Sequence, residues 1–385
     1  MAQKIRISFT SYPGRIYSVV KVVESLWLQT MKADDIVLWL SEEEFPNKDK
    51  DLPEQLRNML GQNGFRVEWV SDNLKSHKKY YYALQNNAEW VVITVDDDMY
   101  YDKEMVQTLL YSYNKHRNAV SARRARVIVK EEDGLAEYMS WDAEPNEYVD
   151  EERMDLCAIG VGGVLYPPGY GNKALFKYDD IKQLAENQDD LWLKFNQILG
   201  GIPVVYTMGQ EKDIPIENES ESCLSIANCV GGANNVCIEK LIEWAKTQNE
   251  NRLNLWLRDL MKLEQYIQDK KERCCKFIQD LFAKNNDRPI YIFGAGNIAV
   301  KMLEFLCDAD VIDRIEAILV SNKRNNPDCL NGIKVMQVEE LDTNVPIHVI
   351  LGVGRSYRKE VKDLLGDYNK HYIVFDFYAV LKYYA

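Results

Sequence analysis

The sequence predicts an α/β protein: a first module built on a parallel sheet clad in helices, a helical connector, and a smaller second α/β unit. Three observations carry this reading. The first hundred residues alternate apolar strand patterns with amphipathic helix patterns, residues 252–284 form a helical pattern free of proline and glycine, and a new strand–glycine turn–helix pattern starts at Arg288. Repeated βα units with near-continuous apolar strands imply a parallel sheet covered on both faces. The 385 residues suit two to three domains, with boundaries expected at 1–238, 239–286 and 287–385.

Taken in order, Ile5–Phe9 reads as a strand, Ile16–Gln29 as a helix and Ile36–Leu40 as a strand. Leu52–Leu60 is helical, Phe65–Val70 a strand and His77–Asn86 helical again. Trp90–Val95 is a strand that stops at Asp96-Asp97-Asp98. Beyond it come a helix at Met105–His116, a strand region at Ala119–Val129, and a glycine-rich apolar stretch at Cys157–Tyr166. Asp189–Leu199 is a helix with acidic residues at its start, closed by Gly200-Gly201, and Ile202–Tyr206 is a further strand. In the connector, a helix near Ile238–Thr247 precedes the long one. There Leu253, Trp256, Leu260, Leu263, Ile267, Cys274, Phe277 and Leu281 follow heptad-like steps. Pairing with a second chain, giving a homo-oligomer, and packing on the neighbouring domains are both open. In the second α/β unit, strands are expected at Pro289–Phe293, Ile315–Val320, His348–Val353 and Tyr372–Phe377, with helices at Asn297–Cys307 and Tyr357–Leu365.

Composition narrows the function. Hydrophobic residues at 46% and charged residues at 28% suit a well-filled core. The net charge of −13 argues against a general nucleic-acid binder. All of that excess lies in residues 1–238, which hold 25 Lys/Arg against 38 Asp/Glu; residues 239–385 hold 22 of each. Part of it sits in two runs, Asp142–Asp155 and Glu211–Glu221, read mainly as solvated loops. No run approaches the ~18 apolar residues of a membrane span, and the N-terminus enters a strand without a signal-peptide pattern. The eight cysteines form no CxxC pair and lack zinc spacing, so reduced thiols in a cytoplasmic protein are expected.

The sharpest chemical signal is the acidic triplet. In a parallel sheet, ligands gather beyond the carboxyl ends of the strands, where Asp96 and Asp98 arrive at an i, i+2 spacing. Carboxylate oxygens there suit Mg²⁺ or Mn²⁺ bridging phosphates; a plain acidic turn is the structural alternative.

Several segments in order around the triplet resemble the GT-A glycosyltransferases, especially the family 2-like bacterial enzymes. They are Ile7-Ser8-Phe9-Thr10-Ser11-Tyr12-Pro13 followed by Arg15, Leu26-Trp27-Leu28-Gln29-Thr30, Ile36-Val37-Leu38-Trp39-Leu40, Ser76–Leu84, and Thr94-Val95-Asp96-Asp97-Asp98. The resemblance covers residues 4–207 and implies a GT-A-type nucleotide-diphospho-sugar transferase domain. It further implies metal-assisted transfer of a sugar from a nucleoside-diphosphate donor to a glycan or lipid-linked acceptor, as in bacterial surface polysaccharide synthesis. Such an enzyme would be cytoplasmic or peripheral at the inner membrane face.

Carried over by position, Thr10, Tyr12, Arg15, Lys78, Lys79, Asp96 and Asp97 would meet the donor, with one of the two lysines expected to face solvent. Asp98 with Asp96 would ligate Mn²⁺ or Mg²⁺. Asp189-Asp190 resembles the motif supplying the base of an inverting transfer, Asp190 preferred, and a helix-start role competes with it. Gly162 and Gly163 would lie against the acceptor. Arg123, Arg124 and Arg126 are candidates for neutralising phosphate. The third-ligand histidine of some GT-A enzymes has no counterpart, so water, diphosphate, Asn234 or Asn235 would complete the shell.

In the second α/β unit, Gly294-Ala295-Gly296-Asn297-Ile298-Ala299 resembles the glycine turn of Rossmann-like domains in sugar-modifying bacterial proteins. A nicotinamide site would want an acid after the second strand, where Ser321 and Asn322 stand instead. Two other functions are therefore carried alongside the transferase: a nicotinamide-dependent sugar-nucleotide oxidoreductase, and a non-catalytic nucleotide-binding assembly protein.

Overall fold

A computed structural model describes residues 3–85, 87–131, 134–143, 148–216, 232–284, 288–341, 347–352, 361, 363–365 and 372–375. The chain forms two compact units, residues 1–262 and 263–385.

The first unit is organised by an eight-stranded sheet. Its elements run β1 (Lys4–Thr10), α1 (Val19–Trp27), β2 (Asp35–Ser41), α2 (Glu54–Met59), β3 (Phe65–Val70), α3 (Lys78–Gln85), β4 (Trp90–Thr94), β5 (Met99–Tyr100), α4 (Met105–Lys115), β6 (Val120–Ala122) and β7 (Ala125–Val127). The antiparallel pair β8 (Lys130–Glu131) and β9 (Gly134–Leu135) follows, then β10 (Asp142–Ala143), β11 (Glu152–Arg153), β12 (Leu156–Ala158) and β13 (Val164–Tyr166). The unit continues with α5 (Tyr178–Leu184), α6 (Asp189–Gly200), β14 (Val204–Tyr206) and β15 (Ile214–Pro215), and enters α7 (Ala233–Lys284).

Strand order is β11-β14-β6-β13-β4-β1-β2-β3. β4, β1, β2 and β3 are mutually parallel, and β13 lies antiparallel between β4 and β6. Residue alternation explains why the sheet is apolar on both faces. Val91, Ile93 and Val95 join one core with Ile7, Phe9 and the α1 residues Val19, Val22, Val23 and Leu26. Val92 points into the opposite core with Tyr80, Leu84, Trp192 and Phe195 from α3 and α6. The chain runs outward from β1 through β2 to β3, then returns to β4 on the other flank of β1. That reversal leaves a crevice at the carboxyl ends of β1 and β4, the usual ligand position in open α/β sheets.

The long helix α7 is two helical runs meeting at Asn249, whose backbone is non-helical (φ −162°, ψ 85°). The Asn249 side chain accepts from Arg252 N at 3.0 Å, a helix N-cap that restarts the helix. Leu253, Trp256 and Leu260, the first seam positions, are buried in the core of the first unit with Trp192 and Phe195. Packing on the neighbouring domain therefore accounts for this part of the seam; the side chains of Leu263, Ile267, Cys274, Phe277 and Leu281 lie outside those described.

The second unit contains β16 (Ile290–Phe293), α8 (Asn297–Asp308), β17 (Ile315–Val320), β18 (Cys329–Leu330), β19 (Ile333–Gln337), β20 (Ile347–Leu351) and β21 (Tyr372–Phe375). Its sheet order is β18-β19-β17-β16-β20-β21, parallel except for the β18–β19 pair. Gly294 turns the chain from β16 towards α8 at φ 111°. Most of the helix expected at Tyr357–Leu365, and the end of the last strand at Asp376-Phe377, lie outside the described residues, as do Cys223, Cys229 and the second half of the acidic run Glu211–Glu221.

Candidate active site

Two loops meet in the crevice of the first unit: Ser11–Ser18 after β1 and Val95–Asp98 after β4. Hydrogen bonds tie them together. Ser11 Oγ donates to Asp97 Oδ2 at 2.5 Å, and Ser18 Oγ donates to the Asp97 carbonyl at 2.7 Å. Asp97 is turned inward and only 7% exposed, which assigns it to joining the loops. Burial raises its pKa to about 6, against the opposing pull of Ser11 and Arg15. Thr10 Oγ1 donates to the Trp39 carbonyl at 2.7 Å, stitching β1 to β2. The Arg15 guanidinium carbon lies 5.9 Å from the centre of the half-buried Tyr12 ring.

Asp96 and Asp98 are the two partly open members of the triplet. The Asp98 carbonyl accepts from Ile216 N at 2.8 Å, while β15 pairs with β5 just beyond. Arg15 Nη1 donates to Asp98 Oδ2 at 2.7 Å and to Asp97 Oδ1 at 3.2 Å. Asp98 Oδ1 is buried and has no hydrogen-bond partner among the described residues. Burial and the neighbouring Asp96 raise the Asp98 pKa. The amide of Asp96 donates to the buried Tyr101 hydroxyl at 2.7 Å, and that hydroxyl lies 3.2 Å from the Val161 carbonyl.

The link from this triplet to α6 is Lys79. Its ammonium lies 2.7 Å from Asp96 Oδ1 and 2.8 Å from Asp189 Oδ2, with the side chain 5% exposed. Ser76 Oγ donates to the other Asp189 oxygen at 2.9 Å. Burial alone would raise the Asp189 pKa, but the charge of Lys79 overrides it and holds the group below the usual carboxylate range. The same carboxylates hold Lys79 charged despite its burial. Next in the helix, Asp190 Oδ1 accepts from Gly160 N at 3.0 Å. Burial and the Asp189 charge push Asp190 up to about 8. Two adjacent carboxyls thus differ in proton affinity because one has a cation beside it and the other has an anion. Gly160 is needed for this arrangement: a Cβ there would sit 2.6 Å from Lys79 Nζ and 3.2 Å from Asp190 Oδ1.

Other expectations are corrected by the protein's own contacts. Lys78 and Lys79 are both buried, contrary to the expectation of one solvent-facing lysine, because each has its own acidic partner. Lys78 Nζ donates to Glu44 at 2.9 Å and to Asn73 at 3.2 Å. Arg123, expected to meet phosphate, instead forms a two-pronged pair with Asp213 at 2.9 Å on each arm, and both side chains are buried. Arg126 donates to the Trp141 carbonyl and lies over the Tyr138 ring. Gly162 and Gly163 are buried; a Cβ on Gly162 would meet Arg124 Cβ at 2.8 Å, and Gly163 has φ +85°. Their missing side chains serve the protein's own packing. Asn235 accepts from Tyr138 N at 2.8 Å, which commits it away from a cation. Among the described residues no group of three or more His, Cys, Asp or Glu is arranged to hold a metal by itself.

Sequence reasoning passed over Ser11, Ser18, Ser76, Tyr101 and the Arg123–Asp213 pair. Ser11 and Ser18 stand inside the same loop as Tyr12 and Arg15, so a polar loop at a strand end was their one local signal. In the second unit, Ser321 and Asn322 follow β17, and Asn322 Oδ1 accepts from Arg324 N at 2.9 Å, capping a short turn.

No known family's profile matches the chain, and no curated protein matches it. Among solved structures, S. aureus TarS 1–349 in complex with UDP matches at 16% identity, over 52% of this chain and 57% of that one, with a TM-score of 0.33. The mannosyltransferase PcManGT from Pyrobaculum calidifontis, in complex with GDP-Man and Mn²⁺, matches at 9% identity over 68% and 80%, with a TM-score of 0.36. The 4-diphosphocytidyl-2C-methyl-D-erythritol synthase from Anaerococcus prevotii matches at 11% identity over 61% and 96%, with a TM-score of 0.36. The chain thus spans little more than half the length of the TarS chain. These TM-scores lie below 0.5, so the function rests on this chain's own residues.

Proposed function

We propose that the first unit is a glycosyltransferase taking its sugar from a nucleoside-diphosphate donor, with Mn²⁺ or Mg²⁺ held by Asp96 and Asp98. One observation carries the reading. At the reversal point of the sheet, a strand-end carboxylate pair is joined through one buried lysine to a second carboxylate pair at a helix start. The first pair suits donor phosphates and the second suits proton transfer. The residues fit a divalent cation: Asp98 presents a buried oxygen lacking a hydrogen-bond partner among the described residues, and both ligands are hard oxygen donors. Such a cation would offset the charge on a departing diphosphate.

The chain's own residues supply the remainder. Asp190 accepts the proton of the acceptor hydroxyl as that oxygen attacks the anomeric carbon, and the Gly160 amide orients its carboxylate. Its raised proton affinity suits a base working near neutral pH. Asp189, kept ionised by Lys79, holds the lysine in place between the two pairs. An inverting outcome follows from a single displacement with Asp190 as base. The proposed acceptor is a glycan or a lipid-linked acceptor; no helix of the described residues is long and apolar enough to cross a membrane.

The parallel β19-β17-β16-β20-β21 order supports a Rossmann-like reading of the second unit, while Ser321-Asn322 after β17 weighs against nicotinamide chemistry there. The test is a panel of nucleoside-diphosphate sugars with and without Mn²⁺, read by thermal shift and donor turnover. Asp98→Ala is expected to abolish metal-stimulated turnover while the protein stays folded. Unchanged turnover in that variant removes the proposal.

A further inference from the structure

We infer that Arg15 is a displaceable counter-ion: it pairs with Asp98, yields that carboxylate to a divalent cation when one binds, and is thereby released to the donor diphosphate. The inference rests on the nucleotide-sugar reading above and adds a coupling between its two ligands.

The geometry of the Arg15 pairing differs from that of a permanent ion pair. Arginine holds a carboxylate best with two parallel N–H bonds, and Arg123 does so with Asp213 in this unit, at 2.9 Å on each arm. Arg15 instead uses one nitrogen, Nη1, to reach two carboxylates, at 2.7 Å and 3.2 Å. Among the described residues its Nε is buried without a hydrogen-bond partner, and so is Asp98 Oδ1. An unsatisfied donor and an unsatisfied acceptor lie on the two sides of one contact, each carrying a desolvation cost that a further ligand would relieve.

What surrounds the contact lets Arg15 leave without disturbing the site. Asp97 keeps Ser11 as a partner at 2.5 Å. The backbone of the triplet is held by Ser18 at Asp97 and by Ile216 at Asp98. The Arg15 backbone is itself fixed in a turn, its N–H bonded to the Tyr12 carbonyl at 2.9 Å. The side chain is thus the part free to change partners. A cation on Asp98 would repel the guanidinium, and a diphosphate arriving at the same loop would attract it. Cation and nucleoside diphosphate therefore assist each other, and by linkage the effect is equal in both directions.

The test is Mn²⁺ binding, followed by the paramagnetic resonance of the free ion, on the full chain and on Arg15→Gln and Arg15→Ala, with and without UDP or GDP. Without nucleotide, both variants should bind Mn²⁺ tighter by about 10- to 100-fold, the scale of a lost charged hydrogen bond. Millimolar guanidinium should weaken Mn²⁺ binding to Arg15→Ala, whereas NaCl at matched ionic strength should not. In the unaltered protein nucleotide should tighten Mn²⁺ binding, and this gain should shrink in the variants. Equal Mn²⁺ affinity without nucleotide, or no specific competition by guanidinium, overturns the inference. Loss of the folded tryptophan emission in both variants marks the pair as structural and overturns it too. If the unaltered protein and both variants bind no Mn²⁺ even with nucleotide, the divalent-cation reading of the site falls first.

Discussion

Replacing Lys79 with methionine tests the link between the two carboxylate pairs most directly. Methionine keeps the unbranched stem of the side chain, one heavy atom shorter, and removes the charge, so packing around α3 changes little. The ammonium sits 2.7 Å from Asp96 and 2.8 Å from Asp189. Removing one partner of a buried pair costs about 3–5 kcal/mol, because the remaining charge is left uncompensated. Asp96 is 29% exposed and Asp189 12% exposed, so water relieves part of this and the lower end, about 3 kcal/mol, applies. For a unit of this size that lowers Tm by about 6–12 °C. It leaves a folded protein, given stabilities of about 5–15 kcal/mol.

The pH dependence gives this prediction its sign. The folded-state pKa of Asp189 is depressed in the unaltered protein. Its stabilising contribution is therefore present above the unfolded carboxylate pKa and lost as pH falls through the lower folded value. Lys79, whose folded pKa is raised, contributes fully below its unfolded pKa, so it does not titrate between pH 5 and pH 7.5, both well under about 10.4. In Lys79→Met the orphaned Asp189 is pushed upward by burial, so the variant loses stability as pH rises through that raised value. Its deficit should be about 3 kcal/mol near pH 7.5 and clearly smaller near pH 5. All eight tryptophans lie within residues 1–262, so urea unfolding followed by tryptophan emission reports this unit alone. A deficit under about 1 kcal/mol, or one equal at both pH values, refutes the ion-pair reasoning.

Gly160→Ala should move Lys79 off both carboxylates, since its Cβ would lie 2.6 Å from Nζ; a loss of about 1–3 kcal/mol with reduced turnover is expected in the same unfolding and donor assays. If Asp190 is the base, kcat/KM should rise with pH along a limb well above the ordinary carboxylate range, near the value of about 8 to which burial and Asp189 push it. Asp190→Asn should abolish turnover, and a limb at ordinary carboxylate pH in the unaltered protein would reassign the base. Asp213→Leu should cost about 3–5 kcal/mol by orphaning Arg123, and adding Arg123→Met should recover part of that loss; urea midpoints of the two variants check the order.

The sheet was legible because burial on both faces is a local property of β1, β2 and β4: alternate residues feed alternate cores, and the acidic triplet marks where the apolar run stops. The first seam positions of α7 were legible for the same reason, and Asn249 explains why the pattern had two parts. The site was legible only in outline. Asp97 shares the triplet's composition with Asp96 and Asp98, yet it turns inward because Ser11, 86 residues away, reaches it. Lys78 and Lys79 look alike on a helix, and only the distant partners Glu44, Asp96 and Asp189 separate their roles. Arg123 looked like a phosphate contact because Asp213, 90 residues on, closes back over it only in the folded chain. Periodicity reports which face a residue takes; it does not report which charge waits there.

The acidity of the first unit acquires a specific meaning at this crevice. Asp96, Asp97, Asp98, Asp189 and Asp190 gather there with Lys79 and Arg15, and both of those cations are engaged by the carboxylates themselves. Even with Asp190 and Asp97 protonated, the remaining carboxylates outnumber the cations, so a diphosphate would enter a site with no positive charge to spare. Lys79 is enclosed between two anions and cannot turn outward without orphaning both. Arg15 holds its carboxylates by one nitrogen, and Asp97 keeps Ser11 as a partner without it. On the proposed reading, neutralising a nucleoside-diphosphate donor would therefore require charge from outside the chain, and supplying it at Asp98 would free the second cation.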